Sequence, residues 1–240
     1  MKYALVTGST KGIGKQIALD LLKSGCFVFL NYANSSDTSD EVELEFSRIS
    51  KNFTIIKADL SSFEGLECLL KSVKGATEVL DYLILNAGVT DRTEFGKFTP
   101  KKWNHVIDAN LTIPFFIVQG LSDLLNCDGR IIFIGALMGM LPHAVSIPYG
   151  VSKAGLHMLA KYLVKIFAGK RITVNVIAPG FVDTPWQITK EVDHRKRIES
   201  KIALGRFGLV SEISSTCMHL IENGYINGQV LVIDGGYDFR

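Results

Sequence analysis

Tyr149 and Lys153 stand four residues apart, so one face of a helix would carry a phenol and an ammonium side by side. A free tyrosine titrates near about 10, too high for a group that must give and regain a proton at neutral pH. A nearby positive charge favours the phenolate, and such a pair is a usable acid and base for a carbonyl oxygen. A second chemical feature is the run Thr7-Gly8-Ser9-Thr10-Lys11-Gly12-Ile13-Gly14, which follows an apolar stretch and opens a helical pattern. Glycines let a backbone turn sharply against a pyrophosphate, and a helix N-terminus offers free N–H groups and a positive dipole end. The loop, Gly8 through Gly14, therefore reads as a nucleotide cradle. Its spacing is G-x-x-x-G-x-G, without the Gly-Lys-Ser/Thr ending of a P-loop.

The cofactor follows from what comes about 20 residues later, where NAD enzymes place an acid on the ribose 2′-hydroxyl. Here the segment is Asn31-Tyr32-Ala33-Asn34, with no carboxylate to repel a 2′-phosphate. With Asn31, Ala33 and Asn34 beside the ribose and Lys11 able to pair with that phosphate, NADP(H) is expected over NAD(H).

Positioning these groups takes a rigid frame, and the sequence supplies a repeating one. Apolar, β-branched runs near Tyr3–Thr7, Phe27–Asn31, Phe53–Lys57, Tyr82–Leu85, Arg130–Gly135, Ile172–Ala178 and Val230–Ile233 alternate with helical patterns. Continuous apolar strands such as Ile131-Ile132-Phe133-Ile134 suit a sheet covered on both faces. The expectation is an α/β, doubly wound, seven-stranded parallel sheet. One domain, 1–240, fits the absence of linkers and repeats, with a lid at about 185–202 beyond the carboxyl ends of the strands.

Composition excludes several classes. With 26 Lys plus Arg against 24 Asp plus Glu, the formal charge is +2, which argues against a nucleic-acid partner. Hydrophobic residues at 47% rule out disorder, yet no apolar run reaches a membrane span. The four cysteines form no C-x-x-C pair and the five histidines show no metal-ligand spacing. Reduced thiols, and a first strand with no signal-type apolar stretch before it, give a cytoplasmic expectation. In Lys190–Glu199, three acids interleave with the bases and read as a solvated helix face.

Asn86-Ala87-Gly88, Asn110, Tyr149-Gly150-Val151-Ser152-Lys153 and Pro179-Gly180, together with the first loop, resemble the short-chain dehydrogenase/reductase family along essentially the whole chain. The stretches Leu204–Gly208 and Asn227–Tyr237 resemble its 3-oxoacyl-[acyl-carrier-protein] reductase branch. The resemblance implies a Rossmann-type fold, a nicotinamide cofactor, a role in fatty acid biosynthesis and a homotetramer. For that assembly the helix from Tyr149 to Ala168, with Leu156, Leu159, Leu163 and Ile166, offers apolar surface. It also implies that Lys153 holds the nicotinamide ribose and that Asn110 supports a water linking Lys153 to solvent. Asp59 and Leu60 would touch adenine, with Asn86, Ala87 and Gly88 at the edge of the adenosine pocket. Pro179, Gly180, Val182 and Thr184 would lie along the nicotinamide and pyrophosphate.

Two departures stand out. The family serine, 13 residues before the tyrosine, is Ala136 here, so the hydroxyl that donates to the substrate oxygen is missing. Ser146 either caps its helix or offers a substitute hydroxyl. The basic carrier-protein docking position is occupied by Cys127 and followed by Asp128, although Lys170 remains. Three readings result: an NADPH-dependent reductase of an acyl-thioester carbonyl, a reductase of free ketones or sugars, or a weakly active or non-catalytic NADP-binding protein.

Overall fold

The computed structural model describes residues 1–33, 40–142, 145–188 and 190–239, so Asn34 lies outside the described residues. Seven strands, β1 (Tyr3–Val6), β2 (Phe27–Tyr32), β3 (Phe53–Lys57), β4 (Leu80–Leu85), β5 (Leu125–Ile134), β6 (Thr173–Pro179) and β7 (Val230–Ile233), form one parallel sheet. Their order is β3-β2-β1-β4-β5-β6-β7, with the direction of winding reversed between β1 and β4. A crevice at that reversal, beyond the carboxyl ends of the strands, is where such sheets bind ligands.

The continuous apolar runs are explained by two separate cores. Successive strand residues point to opposite faces. Leu5, Phe29, Leu83, Phe133 and Val176 face α3 (Phe63–Ala76), α5 (Ile113–Leu121) and α6 (Ile147–Phe167). Their neighbours Ala4, Val6, Val28, Leu30, Ile84, Ile132 and Ile177 face α1 (Gly12–Lys23), Phe46 of α2 (Asp40–Ile49) and α8 (Val210–Glu222). Leu156 and Leu163 of α6 belong to the first core, so they are not the surface that the sequence suggested for assembly. The outward stripe of α6 is Val151, Met158, Tyr162 and Ile166, the last 73% exposed. No helix among the described residues is long and apolar enough to cross a membrane.

Two further helices matter for the site. α4 (Pro100–Ile107) runs through a π turn, Asp108–Thr112, into α5. α7 (Val192–Glu199) lies in the segment after β6, where Ile198, Ile202 and Phe207 make a small core of their own with Phe181 and Tyr237 packed against it.

At the opposite end of the sheet, buried Asp81 of β4 ties three strands together. It accepts from Lys2 Nζ (2.8 Å), the Tyr3 amide (2.8 Å) and Asn126 Nδ2 (2.9 Å). Burial alone would raise its pKa, but these hydrogen bonds outweigh burial and hold the carboxyl below its ordinary 3.8. A depressed carboxyl stabilises the fold above its unfolded pKa and loses that contribution as pH falls through the folded value. Asp81→Asn is expected to cost about 1–3 kcal/mol at pH 7 in urea denaturation. The gap from the unsubstituted protein should close as pH drops below 3.8.

Candidate active site

The loops that leave β1 and β4 are held to each other by side chains that read, in sequence, as ligand contacts. Thr7 Oγ1 accepts from the amides of Asn86 (2.9 Å) and Ala87 (3.0 Å), and Asn86 Nδ2 donates to the carbonyls of Thr7 and Gly8, both at 3.0 Å. From β2, Asn31 Oδ1 accepts from the Gly8 amide (3.2 Å) and its Nδ2 donates to the Ala58 carbonyl (3.0 Å). Asn31 is 1% exposed, so its amide shapes the loop from beneath. Ser9 and Thr10 are buried in the same turn. Gly8 and Gly12 have φ of +61° and +57°, the left-handed region that glycine enters without strain. Gly14 is required by space instead, since a Cβ there would lie 2.3 Å from the Gly8 carbonyl oxygen and 2.5 Å from Asn86 Nδ2.

The cradle fits a pyrophosphate. Lys11 occupies the N-cap of α1 without a side-chain cap bond, and the first turn holds no acid. Its amides and dipole end are thus directed at the glycine loop with no carboxylate to compete. Other expected contacts lie just past the ends of β2 and β3. Asp59 Oδ1 accepts from the Ser61 amide and hydroxyl at 3.0 and 2.8 Å, and Leu60 is buried in the first core. Ala33 is half-buried just past β2.

On the other side of the crevice, α6 brings Tyr149 and Lys153 together, with the ammonium 5.6 Å from the centre of the phenol ring. Lys153 is buried and donates to the Ile134 carbonyl at the end of β5 (2.7 Å). Asn110, on the π turn, is fully buried: Oδ1 accepts from the Val89 amide (2.8 Å), and Nδ2 donates to the Val89 carbonyl (2.9 Å) and Ser152 Oγ (3.1 Å). A Cβ on Gly88 would lie 2.9 Å from Asn110 Oδ1 and 3.7 Å from Lys153 Nζ, so these three residues share one packed corner. Burial lowers Lys153 to about 8 and raises Tyr149 to about 12. The direction at Tyr149 is opposite to the sequence expectation. Removal from water is the cause, and the phenol is protonated at neutral pH.

Ala136 lies at the cavity wall just past β5, and its amide donates to Nε2 of buried His157 at 3.5 Å. Burial first, then Lys153 and Lys161, hold that imidazole near about 4, hence neutral. Ser146 stands at the N-cap of α6 but its side chain makes no cap bond. Its φ is +65°, and its hydroxyl pairs with Thr90 Oγ1 at 3.0 Å on the cavity wall.

The cavity, about 720 Å³, is lined by Ile13, Asn86, Gly88, Ala136, Tyr149 and Lys153, and by Pro179, Gly180, Val182 and Thr184. The Trp186 ring stands edge-on to Tyr149, centroids 6.1 Å apart. Met138 joins the wall, whereas Met140 is exposed. The basic run after residue 189 is not simply a solvated face. Arg195 pairs with Asp183 (3.0 Å) and Glu199 (3.2 Å), but Lys190, His194, Arg197 and Lys201 line the cavity. Their spacing of 4, 3 and 4 is one helical stripe, a signal hidden when the run is judged by its mixed charge. Arg92, Thr90, Trp186 and Gln187 are further wall residues that carry no motif.

A parallel sheet with a glycine cradle at its reversal point and a Tyr–Lys pair on the helix after β5 defines a dinucleotide-dependent oxidoreductase frame. The chain belongs to the short chain dehydrogenase family, whose match spans residues 2–195. It is 33% identical over 240 residues to a 3-oxoacyl-[acyl-carrier-protein] reductase from Synechocystis, covering 98% of this chain and 96% of that protein. It is 32% identical to a 2-dehydro-3-deoxy-D-gluconate 5-dehydrogenase from Pseudoalteromonas atlantica, covering 98% and 95%. A solved structure of Pseudomonas aeruginosa RhlG in an NADP active-site complex superposes with a TM-score of 0.90 at 31% identity, covering 98% and 96%.

The steric role of Gly14 gives a direct check. Gly14→Ala is expected to weaken nicotinamide-dinucleotide binding by about tenfold or more in a fluorescence titration, because overpacking against the loop carbonyl costs roughly 1–3 kcal/mol. Gly75→Ala, where an added Cβ meets nothing within 4 Å, should leave the affinity unchanged.

Proposed function

We propose that the chain is an NADPH-dependent carbonyl reductase in which Tyr149 donates the proton to the substrate oxygen. The observation that carries this reading is the pair of opposite shifts at Tyr149 and Lys153, toward about 12 and about 8. A phenol that stays protonated suits reduction, where it must give a proton. An ammonium near neutrality beside it is suited to return one. The loop from Gly8 to Gly14 would hold the pyrophosphate, Lys11 the 2′-phosphate, and Lys153 with Pro179 to Thr184 the nicotinamide half. Bound there, the nicotinamide supplies the hydride. The remaining work belongs to the chain: Asn110 and Gly88 hold the corner around Lys153, and Trp186 walls the phenol on its outer side.

A 3-oxoacyl thioester is the first substrate class, by likeness to the reductases above. A free ketone or sugar is favoured by one feature of the surface. Asp128, near the expected carrier-protein docking position, forms a two-point ion pair with Arg171 at 2.9 and 2.6 Å, which neutralises positive charge there. The exposed stripe Val151, Met158, Tyr162 and Ile166 supports a homotetramer, and the protein is proposed to act in the cytoplasm.

Oxidation of NADPH against a panel of β-ketoacyl thioesters and simple ketones tests the reading, with NADPH used in preference to NADH. Tyr149→Phe should lower turnover by about 100- to 10,000-fold. Ala136→Ser should raise kcat, by up to about 100-fold, because a second donor aimed at the reacting oxygen is worth about that much. An unchanged kcat in Ala136→Ser would assign that contact to the Ser146 and Thr90 hydroxyls already on the wall.

A further inference from the structure

The cavity beside Tyr149 has a charge that the chain as a whole does not. Arg92, Lys190, Arg197 and Lys201 line it together with Lys153, and no aspartate or glutamate does so among the described residues. The full chain carries a formal charge of only +2. Acids are available nearby in sequence: Glu191, Asp193 and Glu199 all sit in the same segment, yet none contributes to the wall. Arg195 takes the side of the segment that is paired, with Asp183 and Glu199. Arg92, Lys190, Arg197 and Lys201 form no ion pair with any described acid.

Like charges gathered in a recess repel one another, and low-dielectric walls strengthen the field that they share. Lys190 registers this, because burial and then the Arg92 guanidinium both hold its ammonium below the usual lysine range. Nothing in the packing of the lid needs that arrangement, since Ile198, Ile202 and Phe207 already anchor the segment. Gln187 Oε1 adds a second unmet demand in the same wall, a buried acceptor without a hydrogen-bond partner. Both demands are met by a ligand that brings an anion and a hydroxyl or amide donor.

We propose that the substrate carries, apart from its carbonyl, a carboxylate or phosphate group that Arg92, Lys190, Arg197 and Lys201 hold while Tyr149 serves the carbonyl oxygen. The proposal rests on the reading of Tyr149 as proton donor to a carbonyl. It narrows the substrate to oxo compounds with an anion of their own, either small oxo acids or acyl thioesters on a phosphorylated arm. It also gives the segment after β6 a role, since Lys190, Arg197 and Lys201, three of the four cations, come from it.

The test compares matched pairs with the full-length protein and NADPH: acetoacetate against its methyl ester, and acetoacetyl-4′-phosphopantetheine against acetoacetyl-pantetheine. The kcat/KM of at least one anion should exceed that of its neutral partner by about tenfold or more, and the pair that shows it identifies carboxylate or phosphate as the source. In Arg92→Gln/Arg197→Gln, two exposed side chains without ion pairs, that ratio should collapse toward one. Succinate, which has no ketone, reads the same subsite without turnover and should raise the Tm of the unsubstituted protein but not of the variant. Reduction of the neutral partners with no preference in either pair, and no succinate effect, would overturn the inference and leave the reductase reading standing. Succinate protection without reduction of any compound would keep the anion site and remove the reductase reading. A variant that loses NADPH affinity as much as anion preference would overturn the inference by assigning these cations to the cofactor.

Discussion

The rest of the site is arranged around the hydrogen bond from the Lys153 ammonium to the Ile134 carbonyl, a charged group held inside the wall of the crevice at 2.7 Å. Burying an ammonium is costly unless donors find acceptors, and the last carbonyl of β5 supplies one. Everything near it makes room or fixes geometry. Gly88 has no side chain to press on Asn110 Oδ1, which a Cβ would meet at 2.9 Å, and the π turn carries Asn110 to where it can clamp Val89 and Ser152. Ser152 in turn donates to the Tyr149 carbonyl at 2.7 Å. The clamp therefore reaches the first turn of the helix that carries both the phenol and the ammonium.

That helix reconciles two demands that could conflict. Its inner face, through Leu156, Ala160, Leu163 and Phe167, is part of the sheet core, which fixes its position to within packing distance. Its amino-terminal turns carry the polar pair into the crevice, at the same end as the glycine loop. The two ends of the sheet divide the labour. Asp81 gathers β1, β4 and the start of β5 at one end, while Thr7, Asn31 and Asn86 tie the ligand-facing loops at the other.

Much of this was legible in the sequence, for physical reasons that differ by feature. Strands covered on both faces leave continuous apolar runs, and Ile131 to Ile134 has that form whatever the tertiary detail. The glycine loop was legible because a left-handed turn and a close approach leave few alternatives to glycine. What the sequence did not reveal were the roles that depend on who sits opposite. Asn31 and Asn86 also brace the glycine loop, Asn31 through the Gly8 amide and Asn86 through the Thr7 and Gly8 carbonyls, a role that the strand-end context does not encode. The shift at Tyr149 depends on how much water reaches the phenol, which no i to i+4 spacing encodes. The stripe Lys190, His194, Arg197 and Lys201 was present at helical spacing, but which side of a mixed-charge segment meets a cavity is settled only by the small core that seats α7.

The central claim is that a buried ammonium at Lys153, near neutrality, stands behind a phenol that remains protonated. The pH dependence of kcat for carbonyl reduction by NADPH tests it most directly. Lys153 loses its proton at about 8 and Tyr149 keeps its own until about 12. Turnover should therefore hold from neutral pH and decline through a single ionisation near pH 8, and the remaining activity of Lys153→Met should lack that limb. A profile that stays level to pH 10, or the same limb surviving in Lys153→Met, would contradict the account.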